Sequence, residues 1–138
     1  MSKYPLVKLL KAQKMAQDGV ISASKSFKNA TWLQLVEYCN GCGASGSWFR
    51  PPAYIWGTWI GAACIAHDWD YQFGTTSWGK LRADWRMRVN IIKLVVADES
   101  VNWWKPLALQ KARANVYYQS VRKFGNKAFW KGKNSNNK

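Results

Sequence analysis

Apolar residues recur along this chain at helical spacing, interrupted once by a long run of turn formers. Residues 3–17 carry Leu6, Leu9, Leu10 and Met15 as a stripe with lysines opposite, the pattern of a basic amphipathic helix. Trp32, Leu35 and Val36 keep the same spacing and predict a short helix over 31–38. Residues 39–58 break the pattern. Asn40-Gly41-Cys42-Gly43-Ala44-Ser45-Gly46-Ser47 is dense in turn formers, and Pro51-Pro52 forbids helix locally. A loop of this length in a compact domain usually serves a function. Ile60 to Phe73 is then a good helical length, closed by Gly74 as a C-cap. Thr75, Thr76 and Ser77 can cap a longer helix from about Trp78 to Ala97, with a stripe of Leu81, Trp85, Val89, Ile92 and Val96. Asp84 flanks that stripe. A last helix follows Pro106, near the N-terminal position where proline is tolerated, and runs to about Lys123. There is no internal repeat and little strand signal. The pattern predicts an all-α, mainly helical single domain over 1–124, followed by a basic flexible C-terminal tail over 125–138.

Charge changes this picture. The net charge of +14 is unevenly spread: residues 1–30 carry +5, residues 31–99 carry none, and residues 100–138 carry +9 with no acid at all. Such arms favour polyanions, either nucleic acid or an anionic membrane surface. Lys127, Lys131, Lys133 and Lys138 in the tail are the candidate contacts. Ten tryptophans imply a partly amphipathic surface as well as a core. No segment approaches the ~20 apolar residues that span a bilayer. Lys3, Lys8, Lys11 and Lys14 break up any apolar core of a signal peptide. The expectation is therefore a soluble or peripheral membrane protein that would leave a cell only by another route, such as lysis or a particle.

The three cysteines, Cys39, Cys42 and Cys64, leave at least one thiol unpaired within the chain. Cys39-x-x-Cys42 with Cys64 and His67 is one candidate zinc set. One disulfide plus one spare thiol is the reading preferred here.

The candidate chemistry centres on His67, the single histidine, in the run Cys64-Ile65-Ala66-His67-Asp68-Trp69-Asp70-Tyr71. Helical spacing puts Cys64, His67, Asp68 and Tyr71 on one face. The chain has only seven acids, and Asp68, Asp70 and Asp84 lie close to the histidine in sequence. A histidine becomes a general base for water when a carboxylate orients it. Of Asp68 and Asp84, one could orient the imidazole and the other could bind a hard cation, with glycine-loop carbonyls completing the shell. The plainer alternative makes His67 a satisfied core histidine and Asp84 a surface partner of Arg82, Arg86 or Arg88.

Over residues 39–96 the chain resembles the phospholipase A2 family. The resemblance rests on Cys64, His67, Asp68 and Tyr71 as a Cys-x-x-His-Asp-x-x-Tyr helix, on the upstream loop Asn40 to Gly46, and on a second long helix carrying Asp84. More narrowly, Cys-Asn-Gly-Cys-Gly, Ile-Trp-Gly and Cys-Ile-x-His-Asp-Trp-x-Tyr look like the short phospholipase A2-like proteins of phages and bacteria. The resemblance implies two long antiparallel helices carrying the site, a preceding calcium loop, and extra N- and C-terminal helices. It implies calcium-dependent hydrolysis of the sn-2 ester of membrane phospholipids. His67 would be the base, Asp84 would orient it, and Tyr71 would bond to that aspartate. Asp68, with carbonyls near Gly41, Gly43 and Ser45, would hold calcium. Cys64 would be stapled to the loop at Cys42. The competing expectation is a catalytically inactive virion protein that binds nucleic acid, or other virion proteins, through its basic arms.

Overall fold

The computed structural model describes residues 5–39, 53–55, 57–98 and 107–133, the backbone alone for 107–109. The chain is mainly helical. The described elements are α1 (Leu6–Gln17), α2 (Lys25–Lys28), α3 (Trp32–Tyr38), β1 (Tyr54–Ile55), β2 (Thr58–Trp59), α4 (Gly61–Phe73), α5 (Ser77–Ala97), α6 (Leu107–Phe124) and α7 (Asn126–Trp130). The helix starts are locally encoded. The Ser24 hydroxyl accepts from the Phe27 amide at α2, Thr31 and Gln34 form a capping box at α3, and Thr76 accepts from the Gly79 amide at α5. The two strands form a small antiparallel hairpin that the sequence pattern did not signal, with Tyr54 opposite Trp59. Gly57 makes its turn possible by taking φ +86°, in the left-handed region where a side chain is strained.

α4 is the central helix. Every residue from Gly61 to His67 is buried, because α1 packs on it from one side and α5 from another. Its small residues, Gly61, Ala62, Ala63 and Ala66, admit these neighbours closely. Phe27, Leu35, Ile60, Ile65, Ile91 and Val95 fill the space around it. Each such side chain contributes about 1.5–3 kcal/mol by leaving water. α6 then packs along α5. The pairing order, His67 with Asp84 and Tyr71 with Lys80, runs in opposite senses along α4 and α5, so these two helices are antiparallel.

Three expectations are corrected. On α1 the buried face is Leu9, Ala12, Gln13 and Ala16, whereas Leu6 and Leu10 are exposed. Gln13 goes inward because its amide donates to the carbonyls of Phe27 and Ala30, at 3.0 and 2.8 Å. On α5 the buried face is Lys80, Ala83, Asp84, Met87, Asn90, Ile91, Leu94 and Val95. The predicted stripe of Leu81, Trp85, Val89, Ile92 and Val96 instead lies half-buried or exposed.

The third correction concerns the C-terminus. Residues 125–133 are not a loose tail. Phe129 is fully buried, stacks edge-on against Tyr71 at 5.2 Å, and holds α7 against α4. A side chain at Gly74 would meet the Phe129 ring at 2.7 Å, so the glycine that ends α4 also makes room for this contact. The remaining tail residues, 134–138, lie outside the described residues.

Candidate active site

α4 presents His67 and Tyr71 one turn apart toward α5, their ring centroids 4.0 Å apart. α5 answers with Asp84, whose side chain is 0% exposed. His67 Nε2 lies 2.8 Å from Asp84 Oδ1, and the Tyr71 hydroxyl donates to the same oxygen at 2.5 Å. The other carboxylate oxygen, Oδ2, accepts from Lys80 Nζ at 3.0 Å and from Arg122 at 2.8 Å. Lys80 also donates to the Val121 carbonyl at 3.0 Å. Val121 lies in the last turn of α6, where the negative end of the helix dipole favours a cation.

Burial alone would raise the Asp84 carboxyl, but hydrogen bonds from His67 and Tyr71 and the nearby positive charges outweigh it. They hold Asp84 down at about 2. Asp84 is thus an anion at neutral pH, and it requires a donor facing it. A neutral His67 therefore carries its proton on Nε2 and leaves Nδ1 as the basic nitrogen. Nδ1 has no hydrogen bond among the described residues. Burial, reinforced by the Asp84 charge, pushes the Tyr71 phenol far above its ordinary range, so it remains a donor. Burial lowers the Lys80 ammonium, against the pull of Asp84.

The structure brings three sequence-predicted residues together: His67, Tyr71 and Asp84. The alternative pairing of Asp84 with Arg82, Arg86 or Arg88 is not formed. Arg86 makes two 3.1 Å contacts to Asp70, and Arg88 turns to Asn115. Asp84 is ion-paired all the same, to Lys80 and Arg122. Sequence reasoning missed both. Lys80 stands four residues before Asp84 on the same helix, a spacing that could have revealed it. Arg122 is 38 residues away and left no local trace.

Asp68 follows His67 on α4 and is half-buried. Its charge is felt both at Cys39 and at Tyr71. Gly41, Gly43 and Ser45, expected as carbonyl ligands, and Cys42 lie outside the described residues. Among the described residues no three His, Cys, Asp or Glu side chains gather as a metal-binding group. A calcium shell does not require such a group, because backbone carbonyls supply much of it. Asp68 is an oxygen donor of the kind a hard cation takes. The zinc set fits poorly. Cys64 is disulfide-bonded and His67 Nε2 faces Asp84. Cys39 is a free thiol, so it does not pair with Cys64; burial, with the charge of Asp68, pushes its ionisation far upward.

Of the candidate polyanion-binding lysines, Lys127 and Lys131 are exposed, and Lys138 lies outside the described residues. Lys133 is half-buried. Its ammonium sits 3.9 Å over the Phe129 ring and donates to the Tyr71 carbonyl, and burial lowers it to about 8. It supports the back of the site more than it faces a partner.

Gly125, between α6 and α7, provides a direct test of that support. A Cβ there would come 2.5 Å from the Tyr71 hydroxyl and would also strike the Val121 carbonyl. Gly125→Ala is expected to cost about 1–3 kcal/mol, as overpacking does, and to disturb the Tyr71–Asp84 bond. Chemical denaturation checks the first, and the chemical shift of the His67 ring protons checks the second. A variant as stable as the parent with an unmoved His67 signal would mean that the C-terminal segment does not press on the site. No helix among the described residues is long and apolar enough to cross a membrane. No protein-family model, curated protein or solved structure matches this chain.

Proposed function

We propose that this protein is a phospholipase A2-like esterase that hydrolyses the sn-2 ester of membrane phospholipids with calcium. The single observation that carries this reading is the buried His67–Asp84–Tyr71 network, with Nδ1 of the histidine left without a partner among the described residues. An anionic Asp84 holds the ring and stabilises the imidazolium that forms when Nδ1 takes a proton from water. Tyr71 fixes the carboxylate so that Oδ1 keeps facing Nε2. Lys80 and Arg122 close Oδ2 and keep Asp84 from rotating. The ion, held by Asp68 and by carbonyls of Gly41, Gly43 and Ser45, would polarise the ester carbonyl. Anionic phospholipid is the expected partner, since a chain of net charge +14 is drawn to such a surface.

The test is release of fatty acid from mixed phospholipid vesicles with calcium and with chelator. Calcium-dependent release of the sn-2 chain supports the reading, and no release under either condition sinks it. Asp68→Asn should weaken calcium binding at least tenfold by calorimetry, because an amide replaces the one charged ligand among those named. Unchanged calcium affinity would remove Asp68 from the shell.

A second reading is favoured by the two cations on Asp84. They also suit a purely structural ion cluster in an inactive virion protein that holds nucleic acid through its basic arms. DNA binding with steep salt dependence, without esterase activity, would decide for it.

A further inference from the structure

α5 turns its polar residues inward and an apolar stripe outward. Lys80, Asp84 and Asn90 are buried. Trp78 and Trp85 are 66% and 51% exposed, and Leu81, Val89 and Ile92 continue the stripe half-buried. The inward polar side is explained by its partners: Asp84 serves the site, and Asn90 exchanges two hydrogen bonds with the Ser22 backbone, at 2.8 and 2.7 Å. On the outward side Trp85 meets the edge of Tyr118 at 5.6 Å, and among the described residues no ring contact is made by Trp78. A groove of about 510 Å³ runs beside the stripe, lined by Trp78, Leu81, Trp85 and Val89 with Arg82 and Lys93 among its walls.

The charges around this groove are of one sign. Arg82 and Lys93 are exposed. Arg86 is closed by Asp70, and Arg88 lies over the Trp85 ring at 4.8 Å. Among the described residues no carboxylate lines the groove.

We propose that the outer face of α5 is a docking surface for an anionic phospholipid bilayer. Indole rings favour the boundary between acyl chains and headgroups, aliphatic side chains favour the acyl side, and Arg and Lys reach back to phosphate. α5 spans 21 residues, roughly 31 Å, long enough to lie along the surface with Trp78, Leu81, Trp85 and Val89 on one side. The same face suits other occupants less well. Two copies would set like charges against each other across it. Single-stranded nucleic acid needs successive free ring faces for stacking; here Arg88 covers one face of Trp85, Leu81, Val89 and Ile92 offer none, and the exposed Trp78 is a single ring in an otherwise aliphatic stripe. Because Asp84 occupies the opposite side of the helix, docking and chemistry use separate residues. The proposal rests on the reading of this chain as acting at membranes, and a soluble substrate separates the two.

The test compares the full chain with Trp78→Ala and with Arg82→Gln/Lys93→Gln. Binding is measured by co-sedimentation with phosphatidylcholine vesicles, with and without phosphatidylglycerol. The parent is expected to prefer the anionic vesicles. Arg82→Gln/Lys93→Gln should weaken that binding roughly 30-fold, since each cation near such a surface is worth about a factor of five. Trp78→Ala should weaken it roughly tenfold through lost apolar contact. Turnover of a monomeric, water-soluble ester should equal that of the parent in both, because every substituted side chain is exposed and away from Asp84. Vesicle binding unchanged in both variants overturns the proposal. So does loss of oligothymidylate binding with vesicle binding kept, or a dimer in sedimentation velocity that Trp78→Ala dissociates. A parent inactive on every ester whose vesicle binding still falls in both variants would uphold the docking surface and remove the enzymatic reading.

Discussion

Exchanging His67 for glutamine is expected to lower phospholipid turnover by a factor on the order of 100 to 10,000, the range a general base contributes. The fold should survive. Glutamine has nearly the volume of histidine, and its amide can donate to Asp84 Oδ1 much as Nε2 does at 2.8 Å. Asp84 would therefore keep a partner on that oxygen, as well as Tyr71, Lys80 and Arg122. What glutamine lacks is a basic nitrogen in the place of Nδ1. Continuous titration of released fatty acid reads the rate, and a thermal melt reads the fold. Parent-like turnover with a parent-like melt would make His67 a packing residue and end the esterase reading.

Removing Asp84 should have the second large effect, on stability as well as on rate. Asp84→Ala would leave Lys80, itself 2% exposed, without its counter-ion, and would strip a partner from His67, Tyr71 and Arg122. Breaking a buried ion pair from one side costs about 3–5 kcal/mol, because the surviving charge stays desolvated. Replacing the pair by apolar groups, as in Lys80→Met/Asp84→Leu, should recover much of that loss while the protein stays inactive. That contrast separates the burden of a buried charge from the work of orienting His67. If Asp84→Ala unfolds at the parent's denaturant midpoint, the cluster contributes nothing to the fold.

Asp84 also predicts a direction with pH. Its carboxyl is held at about 2 in the folded chain, below the ordinary 3.8. Its contribution to stability is fully present above the ordinary value and is lost as pH falls through about 2. Acid unfolding of the parent should steepen in that window, and the Lys80→Met/Asp84→Leu variant should lack this component.

Much of the fold was legible in the sequence. The predicted helix from Ile60 to Phe73 is observed as Gly61–Phe73, and that from Trp78 to Ala97 as Ser77–Ala97. Caps and spacing are local, so the chain carries them openly. His67 and Tyr71 share a face for the same reason, since four residues make about one turn. From the residues alone either Asp68 or Asp84 could orient the histidine; only the family resemblance singled out Asp84, and the short link from Gly74 to Thr76 is what brings α5 back along α4 to meet it.

The rotation of α5 about its own axis was decided by tertiary structure alone. Apolar periodicity predicts the buried face only when that face is apolar. Here Lys80, Asp84 and Asn90 go inward because His67, Tyr71, Arg122 and the Ser22 backbone satisfy them, and those partners offset the cost of burial. Arg122 lies 38 residues from Asp84, so no local window links the two. Residues 125–133 read as tail because five helical residues carry little periodic signal. Phe129 acquires its place only when Gly74 and Tyr71 form the site that receives it. Sequence alone named the helices and singled out His67, and the family resemblance set Asp84 and Tyr71 beside it. Tertiary packing chose which side of α5 faces them and which cations close the far side of Asp84, because both depend on contacts between residues distant in the chain.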